Sequence, residues 1–275
     1  MTRREALTSA ASLALVWAVP GGAEDASSGP LPLHTTGLEH IGMTVKDQKA
    51  SADWYGRIFD PQLFQERDPP PRFYVRMGTA YIAFGGTSET SPAPRIDHFC
   101  ALVKDYKPDE MRAAIERAGM NMGTGRLGMP TDDDGIRLQL LGVPGGLART
   151  IIPSTRITTD DAAIAAVGLD HVALTVSNMD RAAAYYAKFF GPPATKKADQ
   201  VWFQIANTRL LLEPVAAGAK PEIARLSFRV AGFDKKTVAA KLQKMSVDAT
   251  PADGGRALRF SDPNGFTIEL TGNQR

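Results

Sequence analysis

Residues 168–176 read GLDHVALTV, and the chain carries three more versions of this stretch. Residues 37–45 read GLEHIGMTV, residues 95–103 read RIDHFCALV, and residues 222–230 read EIARLSFRV, with Arg225 where the others have histidine. Of the 4 histidines in the chain, His40, His98 and His171 therefore share one position of a repeated strand. Side chains alternate between the two faces of a strand. Val172, Leu174 and Val176 fall on one apolar face, which is predicted to pack on a helix, and His171, Ala173 and Thr175 fall on the other. Ile41, Met43 and Val45 oppose His40, Gly42 and Thr44 in the same way, and Phe99, Ala101 and Val103 oppose His98, Cys100 and Leu102. Each histidine is thus expected on the face turned away from the helix, beside small residues.

Outward from these strands the chain repeats with a unit of about fifty residues. In units one and three an amphipathic helix follows the strand. QKASADWYGRIFD sets Trp54, Tyr55, Ile58 and Phe59 at helical spacing, and NMDRAAAYYAKFFG does the same with Tyr185, Tyr186, Phe189 and Phe190. Gly191 is a natural stop. These aromatic stripes read as core. DEMRAAIERAG and DKKTVAAKLQKM are the helices of units two and four. Short strand patterns close each unit. The closing stretches DDDGIRLQLLG and SDPNGFTIELTG match position by position, pairing Asp132 with Asp262, Gly135 with Gly265, and Gln139 with Glu269. Asp-Pro-Asn-Gly has strong turn chemistry.

The organisation predicted is an α+β fold of four β-α-β-β-β modules. Residues 36–145 and 167–275 form two domains of two modules each, joined by a linker over 146–166. The first 23 residues carry Arg3 and Arg4, a short apolar run and small residues at Gly21 and Ala23. This is the pattern of an export signal of the twin-arginine type, cut after Ala23 and followed by a flexible lead-in over 24–35. The mature protein is accordingly expected in the periplasm or outside the cell, with no membrane attachment. A net charge of +2 and the lack of a basic stripe give no nucleic-acid footprint. The single cysteine, Cys100, rules out an intramolecular disulfide and reads as a small buried residue.

The closing strands put polar groups on the histidine face: Gln139 in IRLQL, Glu213 in RLLLEP and Glu269 in FTIEL, with Phe84 expected at the place of Glu213 in unit one. A glutamate inside an apolar strand is costly unless it is paired or binds metal. Histidine, glutamate and glutamine donors suit a divalent ion such as Zn, Ni, Mn, Fe or Co.

With these motifs the chain resembles the vicinal oxygen chelate superfamily, which includes glyoxalase I, extradiol dioxygenases and bleomycin resistance proteins. GLEHIGMTV, GLDHVALTV, YYAKFFG and DPNGFTIEL carry the resemblance, which spans Thr36 to Thr271. It implies that two modules close into a cup-like sheet, with helices outside, whose first and last strands supply the metal ligands. If modules two and three pair, one cup collects His98, Gln139, His171 and Glu213 around one divalent ion, with Glu213 able to detach as a general base. This is the pairing we expect. If neighbours pair, the sets become His40, His98 and Gln139, and His171, Glu213 and Glu269 with Arg225 intruding. Arg225 cannot bind metal because it stays protonated, and is expected to pair with Glu269 or to hold an anion. The resemblance implies a metal-dependent lyase, isomerase or dioxygenase acting on a small molecule that chelates through vicinal oxygens, as a monomer or homodimer. Its rival is a metal-free protein that sequesters a small aromatic or anionic ligand.

Overall fold

The computed structural model describes residues 30–89, 92–123, 129–146, 151–158 and 163–272. The export signal expected over residues 1–23 lies outside the described residues. The first sheet has 7 strands, in the order β6-β5-β1-β4-β3-β2-β7. Its members are β1 (Thr35–Val45), β2 (Gln62–Glu66), β3 (Phe73–Met77), β4 (Ala80–Gly86), β5 (Arg95–Val103), β6 (Arg137–Gly142) and β7 (Ile151–Arg156). The second has 8, in the order β13-β14-β15-β12-β8-β11-β10-β9. These are β8 (Ala166–Val176), β9 (Thr195–Lys196), β10 (Val201–Ile205), β11 (Thr208–Pro214), β12 (Glu222–Val230), β13 (Thr250–Ala252), β14 (Ala257–Ser261) and β15 (Thr267–Thr271). Helices α1 (Gln48–Ile58), α2 (Pro108–Arg117), α3 (Met179–Phe190) and α4 (Lys235–Lys244) each follow the leading strand of a unit. The α+β architecture of two mixed-sheet domains is therefore as expected.

The helices start where local chemistry starts them. Asp47, Asn178 and Asp234 cap α1, α3 and α4 by accepting backbone N–H groups of the first turn. α2 lacks such a cap and opens on Pro108, whose missing N–H costs nothing there. The predicted stripes are core: Tyr55, Ile58, Tyr186 and Phe189 are fully buried.

Pairing between modules differs from expectation. Leading strands β1 and β5 run antiparallel in the first sheet, and β8 and β12 do so in the second. Neighbouring modules thus build each sheet. Modules two and three also meet, as do modules one and four, but across their helical sides. Tyr186 of α3 donates to Asp132 Oδ2 at 2.9 Å, and Tyr55 of α1 donates to Asp262 Oδ2 at 3.0 Å. The other oxygen of each aspartate closes its own turn. Asp132 accepts the N–H groups of Asp134 and Ile136, and Asp262 those of Asn264 and Phe266. Gly135 and Gly265 stand in these turns at φ of 83° and 87°. The repeated D-x-x-G stretch is therefore a reciprocal clasp between domains, and its burial raises the pKa of both carboxyls.

Two smaller differences concern the connections. The stretch expected to link the domains carries β7, which pairs with β2 and extends the first sheet. Leu33, in the expected lead-in, is buried and donates its N–H to Phe189 O at 2.6 Å. Among the described residues no helix is long and apolar enough to cross a membrane.

Candidate metal centre and its counterpart

Each sheet carries one set of the residues singled out by sequence. The first holds His40, His98 and Gln139. The second holds His171, Glu213, Arg225 and Glu269. The expected quartet of His98, Gln139, His171 and Glu213 is therefore divided between two sheets, and this is a correction. Its physical reason is that the ladder hydrogen bonds join β1 to β5 and β8 to β12, so modules two and three share only helix-side contacts. A second correction concerns Phe84. β4 runs parallel to β1 with Phe84 opposite Met43 and Gly85 opposite Thr44, whereas Glu213 lies opposite Thr175. Gly85 is thus the counterpart of Glu213. Phe84 faces the helix, packed on Tyr55 with ring centroids 5.3 Å apart.

In the first cup His40 Nε2 and Gln139 Oε1 are 2.8 Å apart. The His98 ring stands edge-on to that of His40, with centroids 5.5 Å apart. Gly42 makes room for it, since a Cβ there would lie 2.1 Å from His98 Cε1. Both imidazoles are held from behind. His40 Nδ1 is 3.0 Å from Glu39 Oε2, and His98 Nδ1 is 2.9 Å from Asp97 Oδ2. A carboxylate on Nδ1 keeps the proton there, so the lone pair of a neutral imidazole sits on Nε2. Burial lowers the pKa of His98 and favours that neutral form, against the opposing pull of Asp97. Burial alone would raise Asp97, but the hydrogen bond from His98 and the charge of Arg137 hold it well below the usual carboxylate range.

This arrangement leaves two lone pairs facing each other, one on His40 Nε2 and one on Gln139 Oε1. The pair is satisfied by a cation shared between them, or by the amide turned over to present its N–H. A separation of 2.8 Å suits adjacent ligands on an ion about 2.0–2.2 Å from each. The donor set therefore fits a divalent metal. Tyr81 stacks on His40 at 4.6 Å and is buried, as is Cys100, whose thiol burial keeps protonated. Glu39, His40 and Cys100 bring donor atoms within 4.8 Å of one another.

The second cup has the same frame and a different centre. His171 Nδ1 is 2.8 Å from Asp170 Oδ2, which Arg209 also engages. Arg225 takes the place of the second histidine. Its guanidinium lies between two carboxylates, 3.2 Å from Glu213 Oε2 and 3.7 Å from Glu269 Oε2. Arg259 reaches Glu269 Oε2 as well, at 2.8 Å. The expected ion pair of Arg225 with Glu269 is present, and Glu213, expected as a metal-bound base, is instead neutralised by Arg225.

Sequence reasoning missed the carboxylate that precedes each histidine. Adjacent residues of a regular strand point to opposite faces, so Glu39, Asp97 and Asp170 should turn away from their histidines. β-Bulges change this. Register shifts insert one extra residue at Glu39–His40, at Asp97 and at Asp170, and a bulge re-aims the side chain it carries. The fourth unit keeps the bulge, between Ile223 and Arg225, but fills it with Ala224. The signal was present in the sequence: EH, DH, DH, and then AR.

Comparison with known proteins places this geometry. Residues 168–270 match the family described as the Glyoxalase/Bleomycin resistance protein/Dioxygenase superfamily. No curated protein matches the chain by sequence. The Mn(II)-bound glyoxalase from Novosphingobium aromaticivorans superposes with a TM-score of 0.68 at 14% identity, over 88% of this chain and 84% of that one. The 2,3-dioxygenase LapB from Pseudomonas sp. KL28 gives 0.64 at 14% identity, over 89% and 94%. A variant of homoprotocatechuate 2,3-dioxygenase from B. fuscum gives 0.63 at 14% identity, over 89% and 73%.

Proposed function

We propose, from a second domain that belongs to the Glyoxalase/Bleomycin resistance protein/Dioxygenase superfamily and a first domain that repeats its fold, that this is a divalent-metal-dependent enzyme working in the first cup. His40, His98 and Gln139 hold the ion. The observation that carries the reading is the convergence of His40 Nε2 and Gln139 Oε1, 2.8 Å apart, beside a second imidazole oriented by its own carboxylate. The similar fold of a Mn(II)-bound glyoxalase supports it. A bound ion would supply Lewis acidity toward a small substrate that carries two neighbouring oxygens.

The chain's own groups do the rest. Glu39 and Asp97 fix both imidazoles so that Nε2 faces inward. Gln139 contributes a neutral oxygen where the second cup carries Glu269, so an ion held there would keep more of its positive charge. Tyr81 lies flat on His40 and limits its rotation. An ion held only by His40, His98 and Gln139 would be able to take substrate oxygens as well as the three side chains. That arrangement favours extradiol-type oxygen chemistry over an isomerase within the same superfamily.

Metal content after reconstitution with Mn(II) or Fe(II) tests the reading. One ion per chain is expected, lost in His98→Ala and kept in His171→Ala. The reverse result, or a chain that takes up no ion, overturns it. With catechol as probe, oxygen uptake by the Fe(II)-loaded chain then separates dioxygenase from isomerase. Export through residues 1–23 belongs to the same proposal. Protein recovered from a Gram-negative periplasm should begin at Glu24, and a joint Arg3→Lys, Arg4→Lys exchange should keep it inside.

A further inference from the structure

The second cup is not a spoiled copy of the first. A cavity of about 970 Å³ opens there. Trp202, Leu211 and Phe233 give it an apolar wall, and Arg225, Arg259 and Lys235 a cationic one. Arg225 stands where the first cup places His98, and a guanidinium never gives up its proton. It supplies a fixed positive charge between Glu213 and Glu269, and its guanidinium fills the point that a divalent ion would have to occupy.

Three buried polar atoms in this wall lack a hydrogen-bond partner among the described residues: Arg225 Nε, Arg259 Nε and His171 Nε2. His171 is only 5% exposed. The two Nε atoms carry N–H donors that make no hydrogen bond, Glu269 Oε2 standing 3.7 Å from Arg225 Nε, and buried donors are ordinarily satisfied. The remaining charges do not answer them. Arg209 is engaged by Asp170 and lies over Trp202, Arg256 is paired with Asp253, and Asp234 caps α4. Lys235 has no carboxylate partner among the described residues. Glu213 and Glu269 pair with the two guanidinium groups through other contacts, and the wall still offers two Nε–H groups without a hydrogen bond and a lysine beside a flat apolar surface. A carboxylate is the acceptor that matches guanidinium donors, and an aromatic body matches Trp202, Leu211 and Phe233.

We propose that the second cup is a metal-free binding site for a small aromatic carboxylate, held by the free N–H edges of Arg225 and Arg259 with its ring against Trp202. The site is independent of the metal reading of the first cup. A chain can thus carry one cup that uses a metal cation and one that uses its own.

Benzoate is the probe, titrated into the full chain in the presence of a chelator, with the Trp202 fluorescence as signal and Trp202→Phe as the blank. Saturable quenching is expected, unchanged when the chelator is omitted and unchanged in His98→Ala. Arg225→Gln and Arg259→Gln should each weaken it roughly tenfold or more, and neutral benzyl alcohol should bind weaker by a similar factor. Arg259, with a side chain 40% exposed, tolerates replacement if Arg225→Gln fails to fold. Quenching that survives both substitutions, that needs a divalent ion, or that benzyl alcohol reproduces overturns the proposal, as does no quenching up to ~10 mM benzoate.

Discussion

The two cups share strand order, bulges and one carboxylate-held histidine, and they differ at the second histidine. In the first, His98 faces His40 across Gly42, and Asp97 holds it from a bulge. In the second, Arg225 reaches between Glu213 and Glu269, and its bulge holds Ala224. On the proposed reading, one frame serves a divalent ion in the first cup and a guanidinium in the second. A converging set of acceptors needs a positive charge at its centre, because a buried carboxylate is costly when unpaired. A bound ion or a guanidinium meets that need, and the choice decides what chemistry the cup can perform.

Exchanging the two residues should produce the largest effect. His98→Arg should abolish ion binding in the first cup. Arg225→His should give the second cup the ability to take up one more ion per chain than the parent, read by metal analysis after reconstitution. If Arg225→His gains nothing, the two frames are not equivalent and the comparison fails. The bulge residue sharpens it. Asp97→Asn should weaken ion binding in the first cup by roughly 10–100-fold, and Ala224→Asp added to Arg225→His should tighten binding in the second by a similar factor. Competition with a chromophoric chelator measures both.

The clasp between domains should behave symmetrically. Tyr55→Phe and Tyr186→Phe each remove one donor from a buried aspartate and should each cost about 1–3 kcal/mol in urea unfolding. Unequal costs would mean that the two halves of the clasp are not equivalent. The smallest effect is on acid stability. Asp97 and Asp170 are both held below the ordinary carboxylate range in the fold, against the effect of their burial, by neighbouring histidine and arginine. A depressed carboxyl contributes stability that is present above its unfolded pKa, about 4, and that is lost as pH falls from there through the lower folded value. Thermal melts between pH 6 and pH 3 should therefore fall less steeply in Asp97→Asn than in the parent chain.

The repeat in the sequence was enough for the modules, the helix faces, the face of each histidine and the polar partners Gln139, Glu213 and Glu269. Alternation and helical periodicity are local properties, and they can be read from one stretch at a time. Phe84 shows the limit of that reading, since a one-residue error in strand register moves a side chain to the other face. Glu39, Asp97 and Asp170 show it again, because a bulge exists only relative to a partner strand. Which modules close a cup was beyond local pattern altogether. Asp132 and Asp262 look like turn residues in the sequence, and only in the tertiary structure do they also receive Tyr186 and Tyr55 from the opposite domain. The candidate positions were legible one by one, and their grouping was decided by which strands the backbone hydrogen bonds joined.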